Sequence, residues 1–240
     1  MYSLRFTPLC LLTISLLVHG VISADPLFHF CSKSGNFSAK SPYEINLNKL
    51  MSSLSYKVVP SGFGLGSVGQ APDRANGLAL CRGDVSSTDC KTCVSEAKTE
   101  ILQRCPNDKE GIIWYDNCLL KYSNKDFFGN IDYKYKFYMW NVQNVSNPAS
   151  FNQKTKELLS HLTNEAYHSP KLFATGEQKL GEAQTLYGLV QCTRDLSTTG
   201  CKKCLDEAIS EISSCCDGKI GGRVVGGSCN FRYELYPFVN

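Results

Sequence analysis

Histidine is scarce in this 240-residue chain: there are four, and only His29, His161 and His168 follow residue 24. None sits in an H-E-x-x-H pattern, so the zinc-protease arrangement is excluded. No G-x-S-x-G occurs, which removes the strained nucleophile turn of the hydrolases. Gly62-Phe63-Gly64-Leu65-Gly66 is glycine-rich, yet it lacks the strand-then-helix setting of a phosphate loop and reads as a flexible loop. Lys and Arg are scattered and the formal charge is only +3, so neither nucleic acid nor an anionic membrane is an indicated partner. Past residue 24 no apolar run approaches the ~20 residues of a membrane helix. No proline-rich or serine-rich linker interrupts the chain. The residues indicate no enzyme, no resident metal and no cofactor.

Cysteine, by contrast, is abundant, and its placement is regular. Cys81, Cys90, Cys93, Cys105 and Cys118 recur as Cys192, Cys201, Cys204, Cys216 and Cys229, each 111 residues later. Both sets read C-x8-C-x2-C-x11-C-x12-C. Gly77-Leu78 likewise matches Gly188-Leu189, and Tyr122 matches Tyr233. The chain is a tandem duplication of one small domain of roughly 100 residues.

Residues 1–24 stand apart. Arg5 precedes an apolar run from Leu9 to Val18, and Ala24 offers a small residue for cleavage before Asp25. This is the pattern of a secretory signal peptide. The mature chain is then expected to be freely soluble outside the cell. Cleavage removes Cys10, leaving 12 of the 13 cysteines. An even number in a secreted chain implies a disulfide framework. Two C-x-x-C pairs could instead supply four thiolates to zinc, but secretion and the repeat of the whole pattern argue against it. Asn36-Phe37-Ser38 and Asn144-Val145-Ser146 are N-glycosylation sequons, so Asn36 and Asn144 are candidate acceptors.

The first domain is expected over 25–136 and the second over 137–240, with the junction near Asn130 to Lys136. Without a linker the two should pack together. Each opens with an extended segment, around Phe28-His29-Phe30-Cys31 and Phe137-Tyr138-Met139-Trp140. Leu47, Leu50, Met51 and Leu54 form a helical stripe, and Leu158, Leu159, Leu162 and Ala166 repeat it. A second helix begins inside the cysteine motif, where Ser87-Thr88-Asp89 and Ser197-Thr198-Thr199 are cap types. Its stripes are Val94, Ala97 and Ile101, then Leu205, Ala208, Ile209 and Ile212. In the closing segment Cys229, Phe231 and Tyr233 alternate with Asn230, Arg232 and Glu234. That alternation assigns the first set to the core and the second to the opposite face. The fold class expected is α+β, with two helices and several antiparallel strands per domain.

The cysteine motif, the closing Cys-Asn-Phe-Arg-Tyr-Glu segment and the duplication resemble the plant cysteine-rich repeat secretory proteins, built from ginkbilobin-like (stress-antifungal) domains. The resemblance implies two helices on a roughly five-stranded antiparallel sheet in each domain. It also implies the pairings Cys81–Cys90, Cys93–Cys118 and Cys31–Cys105, then Cys192–Cys201 and Cys204–Cys229. The sequence departs from the family pattern in the second copy. Trp140 stands in the place of Cys31, and Cys216 has an extra neighbour in Cys215. These two either form a vicinal disulfide, Cys215–Cys216, or remain thiols able to act as a redox sensor.

Ginkbilobin-like domains also imply a mannose site built from an Asn, an Arg and a Glu. The matching residues here are Asn141, Arg223 and Glu234. An Arg fork donates, a carboxylate accepts and an amide does both, which suits vicinal hydroxyls. In the first copy Ser32, Ile112 and Ser123 hold those positions, and no such binding is expected there. Arg223 and Glu234 can equally form a plain surface ion pair. Two functional readings remain open. One is a secreted defence or antifungal protein that binds mannose-type glycans. The other is an apoplastic interaction module for a receptor ectodomain or a secreted enzyme.

Overall fold

A computed structural model describes residues 25–32, 35–182 and 184–239. The expected signal peptide, with Cys10, lies outside the described residues. The elements run β1 (Phe28–Cys31), α1 (Pro42–Lys57), β2 (Phe63–Val68), β3 (Ala75–Cys81), α2 (Ser87–Arg104), β4 (Glu110–Trp114) and β5 (Cys118–Ser123). The second copy supplies β6 (Lys136–Trp140), α3 (Pro148–Ala166), β7 (Phe173–Lys179), β8 (Thr185–Cys192), α4 (Thr198–Ser210), α5 (Ile212–Cys215), β9 (Gly222–Gly226) and β10 (Cys229–Glu234). Each copy forms a five-stranded antiparallel sheet, ordered β1-β4-β5-β3-β2 and β6-β9-β10-β8-β7. The architecture is the expected α+β one. No described helix is long and apolar enough to cross a membrane.

The helices form where the apolar stripes put them. Leu47, Leu50, Met51 and Leu54 are buried beneath α1, and Leu158, Leu159, Leu162 and Ala166 beneath α3. The start of α2 differs from the sequence expectation by one residue. Its cap is Ser86, whose extended backbone lets the hydroxyl accept from the Asp89 amide at 3.1 Å. At the second site Ser197 accepts from the Gly200 amide at 3.0 Å.

The glycine-rich run is not a loop. Gly64 and Gly66 lie inside β2, an edge strand paired along its whole length with β3. The reason is close approach. A Cβ on Gly64 would stand 2.8 Å from the Lys57 Cβ, and one on Gly66 2.9 Å from the Lys57 Nζ. In the second copy Gly176 of β7 admits Leu162 in the same way, at 2.9 Å. Glycine here lets a helix sit on the sheet edge.

Covalent links join helix to sheet. Cys31–Cys105 ties β1 to the end of α2, Cys81–Cys90 ties β3 to its start, and Cys93–Cys118 ties it to β5. Cys192–Cys201 and Cys204–Cys229 repeat the last two. Cys215 and Cys216 are joined to each other. Strand β6 therefore has no covalent tie. Its Lys136 and Tyr138 instead both reach the Glu211 carboxylate, at 2.5 and 2.7 Å. Cys31 and Cys105 lie with Asp108 in a cluster of metal-ligand type, but the bridge removes both thiolates.

Both faces of the central strands of the first sheet, β3, β4 and β5, are buried. The inner face carries the helices. The outer face, with Leu78, Leu80, Ile112, Trp114 and Leu119, packs against Val225 of the second sheet. Trp114 stands edge-on to Phe137 at 5.2 Å and donates its indole N–H to the Gly226 carbonyl at 3.1 Å. Gln191 donates to the Cys81 carbonyl, and Arg194 to the Ser61 carbonyl. Lys121 and Ser123 of β5 are enclosed as well, and every residue of that strand is buried.

Two expectations follow. Disulfide stabilisation grows with the loop closed, and Cys31–Cys105 spans 74 residues while Cys215–Cys216 spans one. Replacing both members by Ser should cost about 4 kcal/mol for the first and under about 1 kcal/mol for the second, read from denaturant midpoints. The second concerns alkaline pH. Tyr43, Tyr122 and Tyr233 are fully buried, and their hydroxyls donate to the carbonyls of Lys109, Asp108 and Cys216. Burial, helped by nearby Glu110 for the first two and Glu234 for the third, raises each phenol well above its ordinary value. A raised folded pKa means stability is fully present below the unfolded value of about 10 and is lost above it. Phenolate absorbance and loss of structure should therefore rise together above that pH rather than in separate steps.

Candidate functional site

The outer face of the second sheet carries the sequence-selected residues. Pairing sets Arg223 opposite both Met139 and Arg232. One row further along, the Asn141 amide donates to the Gly221 carbonyl at 2.9 Å. Glu234 of β10 lies over Gly221, where a Cβ would stand 1.8 Å from its Oε2. Only glycine at 221 leaves that seat to the carboxylate. Asn141, Arg223 and Glu234 thus occupy two adjacent rows on one face.

None of the three is a bare surface group. Glu234 faces away from the core as its alternation assigns, yet it is only 7% exposed. The Arg232 Nε donates to its Oε1 at 3.0 Å. Arg232 is itself held by the Tyr236 hydroxyl at 2.9 Å and the Phe238 ring at 4.1 Å, so the C-terminal segment folds back over the row. Arg223 does not pair with Glu234. Its Nη1 meets the Asp116 Oδ1 at 2.5 Å, across the domain boundary. The Asn141 Oδ1 accepts from the Gln143 amide at 2.9 Å, closing a local turn. Its Nδ2 has no protein partner among the described residues.

Sequence reasoning missed Asp116, Arg232 and Tyr236. Arg232 was signalled by its place in the alternation with Glu234. Asp116 carried no signal, because it comes from the β4–β5 turn of the other copy.

The first copy treats the same face differently. Ser32, Ile112 and Ser123 are buried there. The segment joining the copies lies across that face. Lys134 donates to Ser32 and to Glu110, and Lys121 forms a buried ion pair with Asp132. That face is closed by the chain itself. The acceptors of the two sequons, Asn36 and Asn144, sit in matching β-bridges with Asp108 and Lys219, and both are exposed.

The sequence pattern of the salt stress response/antifungal family matches residues 30–125 and 139–236. The chain belongs to that family. It is 63% identical to an antimicrobial ginkbilobin-2-like protein of Castanea crenata, with 100% of both chains covered. It is 56% identical to cysteine-rich repeat secretory protein 38 of Arabidopsis thaliana, over 97% of this chain and 95% of that one. Among solved structures, the tandem DUF26 ectodomain of the Arabidopsis thaliana cysteine-rich receptor-like protein PDLP5 is 30% identical, with a TM-score of 0.73. It covers 88% of this chain and 99% of that one. The corresponding ectodomain of PDLP8 is 24% identical with a TM-score of 0.78, over 90% and 100%, and carries the likeness of fold alone. This member of the salt stress response/antifungal family is thus a cysteine-rich protein of a secretory and ectodomain lineage.

The two arginines of the site should respond differently to removal. Arg232→Ala leaves Glu234 enclosed without its cation and should cost about 2 kcal/mol. Arg223→Ala leaves only Asp116, which is 53% exposed, and should cost under about 1 kcal/mol. Chemical denaturation of the two variants compares them directly.

Proposed function

We propose that the protein is a secreted defence protein whose second domain binds mannose-type glycans through Asn141, Arg223 and Glu234. The observation that carries this reading is the seat of Glu234 over Gly221, between the Asn141 amide and the row of Arg223. The Glu234 carboxylate, already oriented by Arg232, accepts a hydroxyl proton through Oε2. The Asn141 Nδ2 donates to the neighbouring hydroxyl. Arg223 donates from the same face while Asp116 fixes its guanidinium. Two adjacent hydroxyls of a hexose match that donor and acceptor set. The antimicrobial name borne by the Castanea crenata relative agrees with a wall glycan as target. Secretion would follow cleavage before Asp25, with N-glycans on Asn36 and Asn144.

A second reading is favoured by a different surface. On the edge strand β6 and just beyond it, Tyr138, Trp140 and Val142 are 41%, 54% and 86% exposed. An open edge with aromatic side chains suits a protein partner such as a receptor ectodomain or a secreted enzyme.

Calorimetric titration with mannose separates the two. Millimolar affinity, about −4 kcal/mol, is expected, and Asn141→Ala or Glu234→Gln should each abolish the heat. Absence of heat from the unmutated protein at millimolar mannose overturns the glycan reading.

A further inference from the structure

The duplication compares space as well as sequence. Tyr115 of the first copy and Gly226 of the second stand at the same 111-residue offset as the cysteines. Tyr115 follows the outward-facing Trp114, so its ring turns to the helix side. It is 6% exposed and belongs to the core that holds Cys93, Ala97 and Cys118. Burial first, then the carboxylates of Glu100 and Glu96, push its phenol up to about 12, and its hydroxyl has no hydrogen-bond partner among the described residues.

In the second copy there is no ring. The counterparts of the same neighbours, Cys204, Ala208, Cys229, Glu207 and Glu211, line a cavity of about 320 Å3 beside Gly226. The void is built into the backbone. A Cβ on Gly226 would stand 2.9 Å from the Cys229 carbonyl oxygen, so this hairpin turn admits no side chain. The volume lies within the range of sites for small ligands, which is about 300–1,000 Å3.

We propose that this cavity is a binding site for a small phenol, whose ring takes the place that the Tyr115 ring takes in the first copy. The Ala208 methyl and the Cys204–Cys229 bridge give the ring apolar contact. Glu207 of α4, the counterpart of Glu96, lines the cavity, and its carboxylate accepts from the ligand hydroxyl. Of the acidic groups at the cavity, Asp132 pairs with Lys121 and Glu211 with Lys136, while Glu207 has only the exposed Lys203 at 3.9 Å. That balance favours neutral or amine-bearing phenols and disfavours phenolic acids. Exposed Tyr133 stands at the same cavity, where the segment joining the two copies runs past it.

The test is calorimetric titration of the full mature chain with p-cresol, tyramine and 4-hydroxyphenylacetate. One p-cresol site is expected. Tyramine should bind at least about tenfold more tightly than the acid, a difference of about 1.4 kcal/mol. Ala208→Leu, which fills the cavity, should abolish binding. Tyr115→Ala should open the matching space in the first copy and raise the p-cresol stoichiometry from one to two. If Tyr115→Ala fails to fold, Ala208→Leu still decides. The proposal is overturned if the unmutated protein takes up no p-cresol at millimolar concentration. It is equally overturned if Ala208→Leu binds unchanged, or if the acid binds as tightly as the amine.

Discussion

Trp114 lies where the two sheets meet, packed on Phe137 and bonded through its indole to the Gly226 carbonyl. A sheet with helices on one side has a second face to dispose of, and in the first copy that face is apolar. Phe30, Ile112, Trp114, Leu78 and Leu80 line it. Leaving such a surface in water is costly, so the second copy is needed to cover it. Covering it fixes how the copies are oriented. That orientation in turn delivers Asp116 to Arg223 and lays the connecting segment over Ser32.

The two faces are not equivalent partners. Where the first sheet presents Ile112, Lys121, Ser123 and Leu80, the second presents Arg223, Arg232, Glu234 and Gln191. On the side that must be buried two of the four are apolar, and on the side that is covered only in part all four are polar. The same division appears on the inner face. Tyr115 fills the core of the first copy, while Gly226 leaves room in the second. The first copy is packed as a support, and the second keeps both its polar row and its void.

Much of the fold was legible from the chain. The helical stripes lie under the helices that carry them, because periodic apolar residues have one way to be buried together. The glycines of β2 were misread as a loop, because their purpose is the approach of Lys57 from α1. Gly221 raised no flag in the sequence, yet it makes the seat for Glu234. In both places the glycine serves a neighbour distant in sequence, which no local pattern records. The break between α4 and α5 was also invisible, since Ile212 continues the apolar stripe of α4 while the backbone does not continue its helix.

The sequence alone determined the duplication, the α+β class and which residues alternate along β10. These depend on spacing, and spacing is local. Tertiary structure decided exposure. Glu234 alternates as an outward residue and is still enclosed, since Arg232, Gly221 and the returning Tyr236 segment gather around it. Arg223 is outward too, and its charge is met by a residue 107 positions away. Alternation tells which way a side chain points from its own strand. What lies opposite it depends on how the second sheet docks on the first, and that is set by the buried apolar face around Trp114.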